Sequence, residues 1–210
     1  MILSRRLGDR GQAFPIYIVA VAGLLFAALA LFAVGMAGDT RNEAQGAADA
    51  AALAAAREAR DRVFVGLNLV DLKPTDWEKI LNGKGFDVKG ACGEAEDFAK
   101  RNNATTVNCE AALPRFTVSV TTTRTVGESV VPGTESAHGT AVATAVIKPL
   151  CSLGATPAPT ATPVPPDGEV PKPDPVTITC DGHGSINLDP LNPRQLSKLA
   201  RSLFSVRLVS

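Results

Sequence analysis

The chain has 210 residues with 21 basic and 21 acidic side chains, so its formal net charge at pH 7 is zero. This length leaves room for one small domain plus appendages. Because no basic cluster occurs after residue 12, the charge pattern argues against a nucleic-acid partner.

The first predicted element is an apolar helix over residues 13–38, which carry no charged side chain. This run is long enough to cross a hydrocarbon core of ~30 Å. Three arginines precede it, and the positive-inside rule then leaves residues 1–12 in the cytoplasm and everything after residue 38 outside. A cleaved signal peptide is the alternative, but its apolar core is usually ~7–15 residues, shorter than this one. We therefore expect an uncleaved, single-pass anchor in the lipid bilayer of the cell membrane.

An alanine-rich helix follows without a break over residues 39–63. Alanine is the best helix former, and only Gly46 disfavours a helix between Ala44 and Ala59. Small side chains let helices approach closely, above all inside lipid, where no hydrophobic force drives helices together. We expect the small-residue side of this long helix to pack against helices of other proteins. The predicted helix-packing residues are Gly23, Ala27, Gln45, Ala48, Asp49, Ala51, Ala52, Leu53 and Ala55.

A small extracytoplasmic α+β domain is predicted over residues 64–151. Two short helices come first, one N-capped by Thr75 and one over about 93–102. Alternating apolar and polar residues then predict strands, most clearly in FTVSVTTTRTV from Phe116 and again over 140–147. The order predicts a long helix, short helices and then an antiparallel sheet.

The remainder of the chain divides in two. Residues 152–175 contain so many prolines that we expect a stiff, extended spacer, with a tolerated disordered insertion as the alternative. Residues 176–210 predict a hairpin, a helix beginning near Asn192 and a closing strand. These pieces are too short for a core of their own, so we expect them to dock on the main domain.

Four cysteines lie on the predicted outer side, where disulfides persist. They allow three pairings, and their number and spacing do not choose among them. The predicted elements favour Cys92 with Cys109, since one opens a helix and the other points inward on the next strand. They also favour Cys151 with Cys180, which would close the proline-rich loop. A Cys109–Cys151 bond would contradict this pairing.

The sequence offers little for chemistry. Cys180-Asp181-Gly182-His183 has the spacing of half a zinc site, but no second pair completes it. There is no nucleophile elbow and no phosphate loop. We therefore expect no catalysis, cofactor, metal or small-molecule substrate.

The start of the chain resembles a known family. Gly11-Gln12-Ala13 before the apolar run, and QGAADAAALAAA from Gln45 to Ala56, are similar to the N-terminal module of TadE/TadG-like proteins of tight-adherence (Tad, Flp-type) pilus assembly. The resemblance is close over about residues 10–60 and looser beyond. It implies a pilin-like fold and a non-catalytic pilus-assembly or pseudopilin-like component whose partners are other Tad-type components.

One departure from pilin precursors bears on processing. Such precursors are typically cut after a glycine, with a glutamate five residues further on; counted from Gly11, that position is Ile16. The resemblance therefore implies a permanent anchor more than a processed fibre subunit. The alternative function is a surface-anchored module that binds a ligand or the cell wall.

Overall fold

A single helix of 49 residues, α1 (Ala13–Asp61), forms the axis of the molecule. The computed structural model describes residues 13–127, 133–154, 175–182, 184–193 and 195–209. The predicted basic tail and most of the predicted spacer, residues 155–174, lie outside these ranges. After α1 the described elements are α2 (Pro74–Leu81), α3 (Ala91–Arg101), β1 (Ala104–Ala112), β2 (Arg115–Thr125), β3 (His138–Pro149), β4 (Cys151–Leu153), β5 (Val176–Cys180), β6 (Gly184–Leu188), α4 (Leu196–Leu203) and β7 (Phe204–Val209).

The strands form two antiparallel sheets. The larger has the order β1-β2-β3-β7, and the smaller has the order β4-β5-β6. The predicted α+β class is confirmed, as are the alternating faces of β2 and β3, which bury Phe116, Val118, Val120, Ala145 and Ile147. The C-terminal part of the chain divides between the sheets, because β7 extends the larger sheet beside β3 while β5 and β6 pair with β4.

The core lies between α1 and the inner face of the larger sheet. The residues of α1 that face it repeat at intervals of three and four, the period of one helix face. All of them are alanine and at most 1 % exposed. Helix α3 adds a second alanine row against α1 at Ala91, Ala95 and Ala99. The α1 row consists of Ala44, Ala47, Ala48, Ala51, Ala52, Ala55, Ala56 and Ala59.

Larger side chains fill the core beyond this alanine row. Phe64 and Trp77 lie with ring centroids 6.0 Å apart, and Phe86 meets Phe204 edge-on at 5.0 Å. Burying each such side chain is worth roughly 1.5–3 kcal/mol, so the strongest hydrophobic contribution lies near the C-terminal end of α1.

Both predicted disulfides are present. Cys92 of α3 bonds to Cys109 of β1, and Cys151 of β4 bonds to Cys180 of β5. The second bond joins directly opposed residues of neighbouring strands, so it closes the base of the long insertion between β4 and β5.

Three sequence expectations are corrected in detail. Helix α2 begins at Pro74 with Lys73 as its N-cap, two residues before the predicted N-cap Thr75, because proline suits the first helical position. Residues 152 and 153 belong to β4 instead of the spacer, since their backbone pairs with β5. Helix α4 begins at Leu196, later than predicted from Asn192.

Leucine at the centre of the alanine row should destabilise the fold. Ala51→Leu inserts three carbons where Ala51 is fully buried, and overpacking of this kind costs about 1–3 kcal/mol or more. Ala50→Leu, at a half-buried neighbouring position, should cost much less. Urea unfolding of the full chain in mild detergent, followed by fluorescence of the single, buried Trp77, measures both. Equal midpoints for the two variants would contradict this packing.

A pH-dependent ion pair holds α4 to the end of α1. Partial burial raises the pKa of Asp61, but hydrogen bonds from Arg201 and Arg60 outweigh it, and the net pKa lies below its usual 3.8. The Arg201 Nη2 to Asp61 Oδ2 distance is 2.7 Å. Since the folded-state pKa is depressed, the stabilisation is present above the unfolded pKa and is lost as pH falls through the folded value.

Asp61→Asn should therefore unfold more readily than the parent at pH 7, and the difference should shrink as the pH drops below about 4. Denaturant titrations at pH 7, 5 and 3 measure this change. A parent-to-variant difference that is constant over the three pH values would show that the charge of Asp61 does not stabilise the fold.

Candidate functional site: an exposed helix and the collar at its base

The N-terminal part of α1 projects from the domain as an exposed apolar helix. The window Pro15–Phe32 has a mean hydropathy of 2.4 over 18 residues and none of it is buried, so by length and composition it is able to cross a membrane. Its large side chains are at least half exposed, with Phe26 at 77 %. Gly23 lies on this surface with open space where a Cβ would be.

The predicted helix-packing residues separate into two groups. Gly23 and Ala27 lie on the exposed apolar helix, available to another molecule. By contrast, Ala48, Ala51, Ala52 and Ala55 are fully buried against the chain's own sheet and α3. The correction is that this alanine row packs the interior and presents no surface to a partner.

The polar members of the predicted set lie on the outer side of α1. Gln45 Nε2 donates a 2.8 Å hydrogen bond to Asp49 Oδ1, one helical turn away. The remaining member of the set, the apolar Leu53, is partly buried and packs against the core. The glutamine and aspartate of the motif therefore support the helix locally at a spacing of four residues.

A collar of residues joins α1 to the open end of the larger sheet, where the exposed helix enters the domain. Its first component is a contact between backbones. A Cβ on Gly139 of β3 would overlap the carbonyl oxygen of Thr40, well inside van der Waals contact. Only glycine permits this approach without movement, so Gly139 sets how closely the strand meets the helix.

The second component of the collar is a hydrogen-bond network around the buried Thr122. Three residues of β2, 122–124, lie opposite the single residue Gly139 of β3. This unequal count interrupts the hydrogen-bond ladder between the two strands. Thr122 Oγ1 accepts from Gly139 N at 2.9 Å and donates to the Arg124 carbonyl at 2.7 Å. His138 Nδ1 lies 2.7 Å from the Thr122 carbonyl. Because a carbonyl oxygen only accepts, Nδ1 carries the proton.

The third component is a polar bridge from α1 to the sheet. Glu43 Oε2 accepts from Arg124 Nη2 at 3.2 Å, and Glu43 Oε1 accepts from Asn103 Nδ2 at 3.4 Å. The turn at Asn103 has a positive φ of 54°, a conformation that asparagine tolerates. The collar thus consists of Thr40, Glu43, Asn103, Thr122, Arg124, His138 and Gly139.

Sequence reasoning did not identify the collar. The available signal was Gly139 inside an alternating strand, since such a glycine often marks a close approach of another backbone. Of the residues with the zinc-like spacing, Cys180 is in a disulfide and is not free to bind a metal, and His183 lies outside the described residues. Among the described residues, no group of three or more His, Cys, Asp or Glu is placed to hold a metal ion.

Comparison with known proteins identifies the N-terminal module. Residues 11–58 match the Tad family of Flp pilus-assembly TadE/G-like proteins. The match covers the exposed helix, Thr40 and Glu43 of the collar, and most of the alanine row. It confirms the resemblance drawn from the sequence over these residues and supports a role in pilus assembly. No curated protein and no solved structure matches the chain.

Alanine at position 139 should loosen the collar. Gly139→Ala forces the added methyl against the Thr40 backbone and should destabilise the fold by about 1–3 kcal/mol. Gly93→Ala is the matched control, because Gly93 is helical with nothing within 4 Å, and alanine there should stabilise by up to ~1 kcal/mol. Urea unfolding compares the two. A neutral Gly139→Ala would show that the strand and helix have room to separate.

Proposed function

We propose that this chain is a non-catalytic, single-pass membrane component of a Tad (Flp-type) pilus and secretion system. The observation that carries the proposal is the family match over residues 11–58, which coincides with the apolar helix and its extension into the domain. Residues 1–12 lie in the cytoplasm, and the domain stands outside the membrane. Its partners are the lipid bilayer and helices of other pilus or secretion components.

Three observations support an anchored helix with the domain outside the membrane. Helix α1 is continuous from Ala13 to Asp61, so the apolar part and the domain share one axis. The window Pro15–Phe32 exposes large apolar side chains that water would solvate poorly, whereas lipid covers them at no cost. The two disulfides of the domain suit the oxidising side of a membrane.

The exposed helix is the surface proposed to contact other components. In lipid, helices associate through close contact of small residues, and Ala20, Gly23, Ala27 and Ala30 fall along one side of α1. The alanine row further along α1 is buried inside the domain, so it fixes the domain to the helix instead of binding a partner.

A larger side chain on the small-residue side of the exposed helix should reduce assembly with other pilus components. Ala27→Leu fills the proposed contact, whereas Ala22→Leu adds the same side chain about 140° around the helix. We expect Ala27→Leu to lower crosslinking to neighbouring components in native membranes and to lower the number of surface fibres seen by electron microscopy. Ala22→Leu should resemble the parent. In both variants, Trp77 fluorescence should show that the domain remains folded.

Equal crosslinking and equal fibre counts in the two variants would show that the exposed helix serves only as an anchor and does not contact other components through this side. Deletion of the whole gene without loss of fibres would go further and favour the surface-binding alternative. A mature protein that begins at Gly38 would contradict the anchor, and one that begins at Gln12 would indicate processing like that of a pilin precursor.

A further inference from the structure

Two shallow cavities lie side by side at the collar, one on each side of Thr40 and Val126. The first, of about 380 Å³, is lined by Arg41 and His138 among others. The second, of about 310 Å³, is lined by Asp39, Glu43, Arg124 and Thr125. Thr40 and Val126 line both, so the two cavities are neighbours at the base of the exposed helix, and together we call them the collar cleft.

The position of the collar cleft relative to the membrane follows from the continuity of α1. A crossing of ~30 Å takes about 20 helical residues, so one that begins at Pro15 leaves the hydrocarbon between residue 34 and Gly38, the last uncharged position. Asp39 and Arg41 then lie roughly 2–10 Å beyond the hydrocarbon edge. The headgroup layer on each side is about 5–8 Å thick, so the cleft opens into it. This step rests on the proposed anchoring.

The charges of the cleft have both signs and cancel. Among the described lining residues, Arg41 and Arg124 are positive and Asp39 and Glu43 are negative, while His138 Nδ1 is bound to the Thr122 carbonyl. Glu43 and Arg124 already satisfy each other at 3.2 Å. Arg41 on one side and Asp39 on the other are therefore the charges that face a ligand. A neutral lining of mixed sign favours a zwitterion over an anion.

We propose that the collar cleft binds the headgroup of a zwitterionic phospholipid with a primary ammonium, that is, phosphatidylethanolamine. The phosphate meets the guanidinium of Arg41 in the first cavity, and the ammonium meets the carboxylate of Asp39 in the second. Arginine recognises phosphate oxygens through its fork of N–H donors.

The other common headgroups fit the collar cleft less well. A choline ammonium cannot donate hydrogen bonds and is usually held by an aromatic cage, but no Trp, Tyr or Phe is among the described lining residues. An anionic glycerol headgroup leaves Asp39 without a partner and close to a like charge. The ethanolamine ammonium, by contrast, donates three hydrogen bonds to oxygen acceptors of the kind that Asp39 and Thr125 provide.

Thermal unfolding of the full chain in detergent micelles tests the assignment. The micelles carry equal mole fractions of phosphatidylethanolamine, phosphatidylcholine or phosphatidylglycerol, and a lipid that binds the folded state raises the Tm. We expect the largest rise with phosphatidylethanolamine. Asp39→Asn should remove its advantage over phosphatidylcholine, while Arg41→Gln should weaken binding of phosphatidylethanolamine about tenfold in a lipid titration. Arg57→Gln, an exposed position ~24 Å further along α1, is the matched control and should match the parent.

Several results would overturn the assignment. These are an equal Tm rise with all three lipids, a larger rise with phosphatidylglycerol, or an Arg57→Gln effect as large as that of Arg41→Gln. A rise with free O-phosphoethanolamine equal to that with the lipid would replace the membrane ligand with a soluble one. Carbonate extraction of cell membranes separates the two proposals: retained protein without lipid selectivity overturns only this one, whereas extracted protein overturns the anchor and the headgroup site together.

Discussion

The close approach of α1 to its own sheet is the constraint on which the rest of the structure depends. A row of eight alanines presents only methyl groups to β2, β3 and α3, and α3 returns three alanines of its own. Methyl groups add little hydrophobic area, so most of the burial energy comes from the aromatic residues beyond. The contribution of the alanines is a short separation between helix and sheet. Because the side chains are small, the two elements make dispersion contacts along their whole interface.

That closeness makes the helix and the domain one body. The Gly139 contact with Thr40 continues the same approach to the base of the domain, where the backbones themselves meet. There the β2 ladder is interrupted, and Thr122 supplies the hydrogen bonds that the strand has lost. Because α1 continues without a break into the exposed apolar segment, the direction of that segment is set by the packing of the domain.

The far end of the molecule is secured by different means. The chain returns from the long insertion after β4 to supply β5, β6, α4 and β7, and β7 completes the larger sheet. The Cys151–Cys180 bond joins the two ends of that insertion, and the Asp61–Arg201 ion pair ties α4 to the end of α1. The disulfide, which persists in the unfolded chain, limits the freedom of that chain, and more so the longer the loop it closes.

The sequence by itself determined the long helix, the α+β class and the inner faces of β2 and β3, because each rests on local periodicity or on the order of neighbouring elements. For the cysteines it only favoured one of three pairings, which is the pairing in the structure. It also identified the TadE/G-like module, whose motif lies within one helix. It did not determine what the alanines touch, since a row of small residues packs equally well against a partner or against its own sheet. Nor did it reveal the collar, in which Thr40, Asn103, Thr122 and Gly139 come from four separate elements or turns. Only the tertiary structure decided these points, because contacts between residues far apart in the chain, such as Glu43 and Arg124 at a separation of 81, depend on how the chain folds back, which local patterns do not encode.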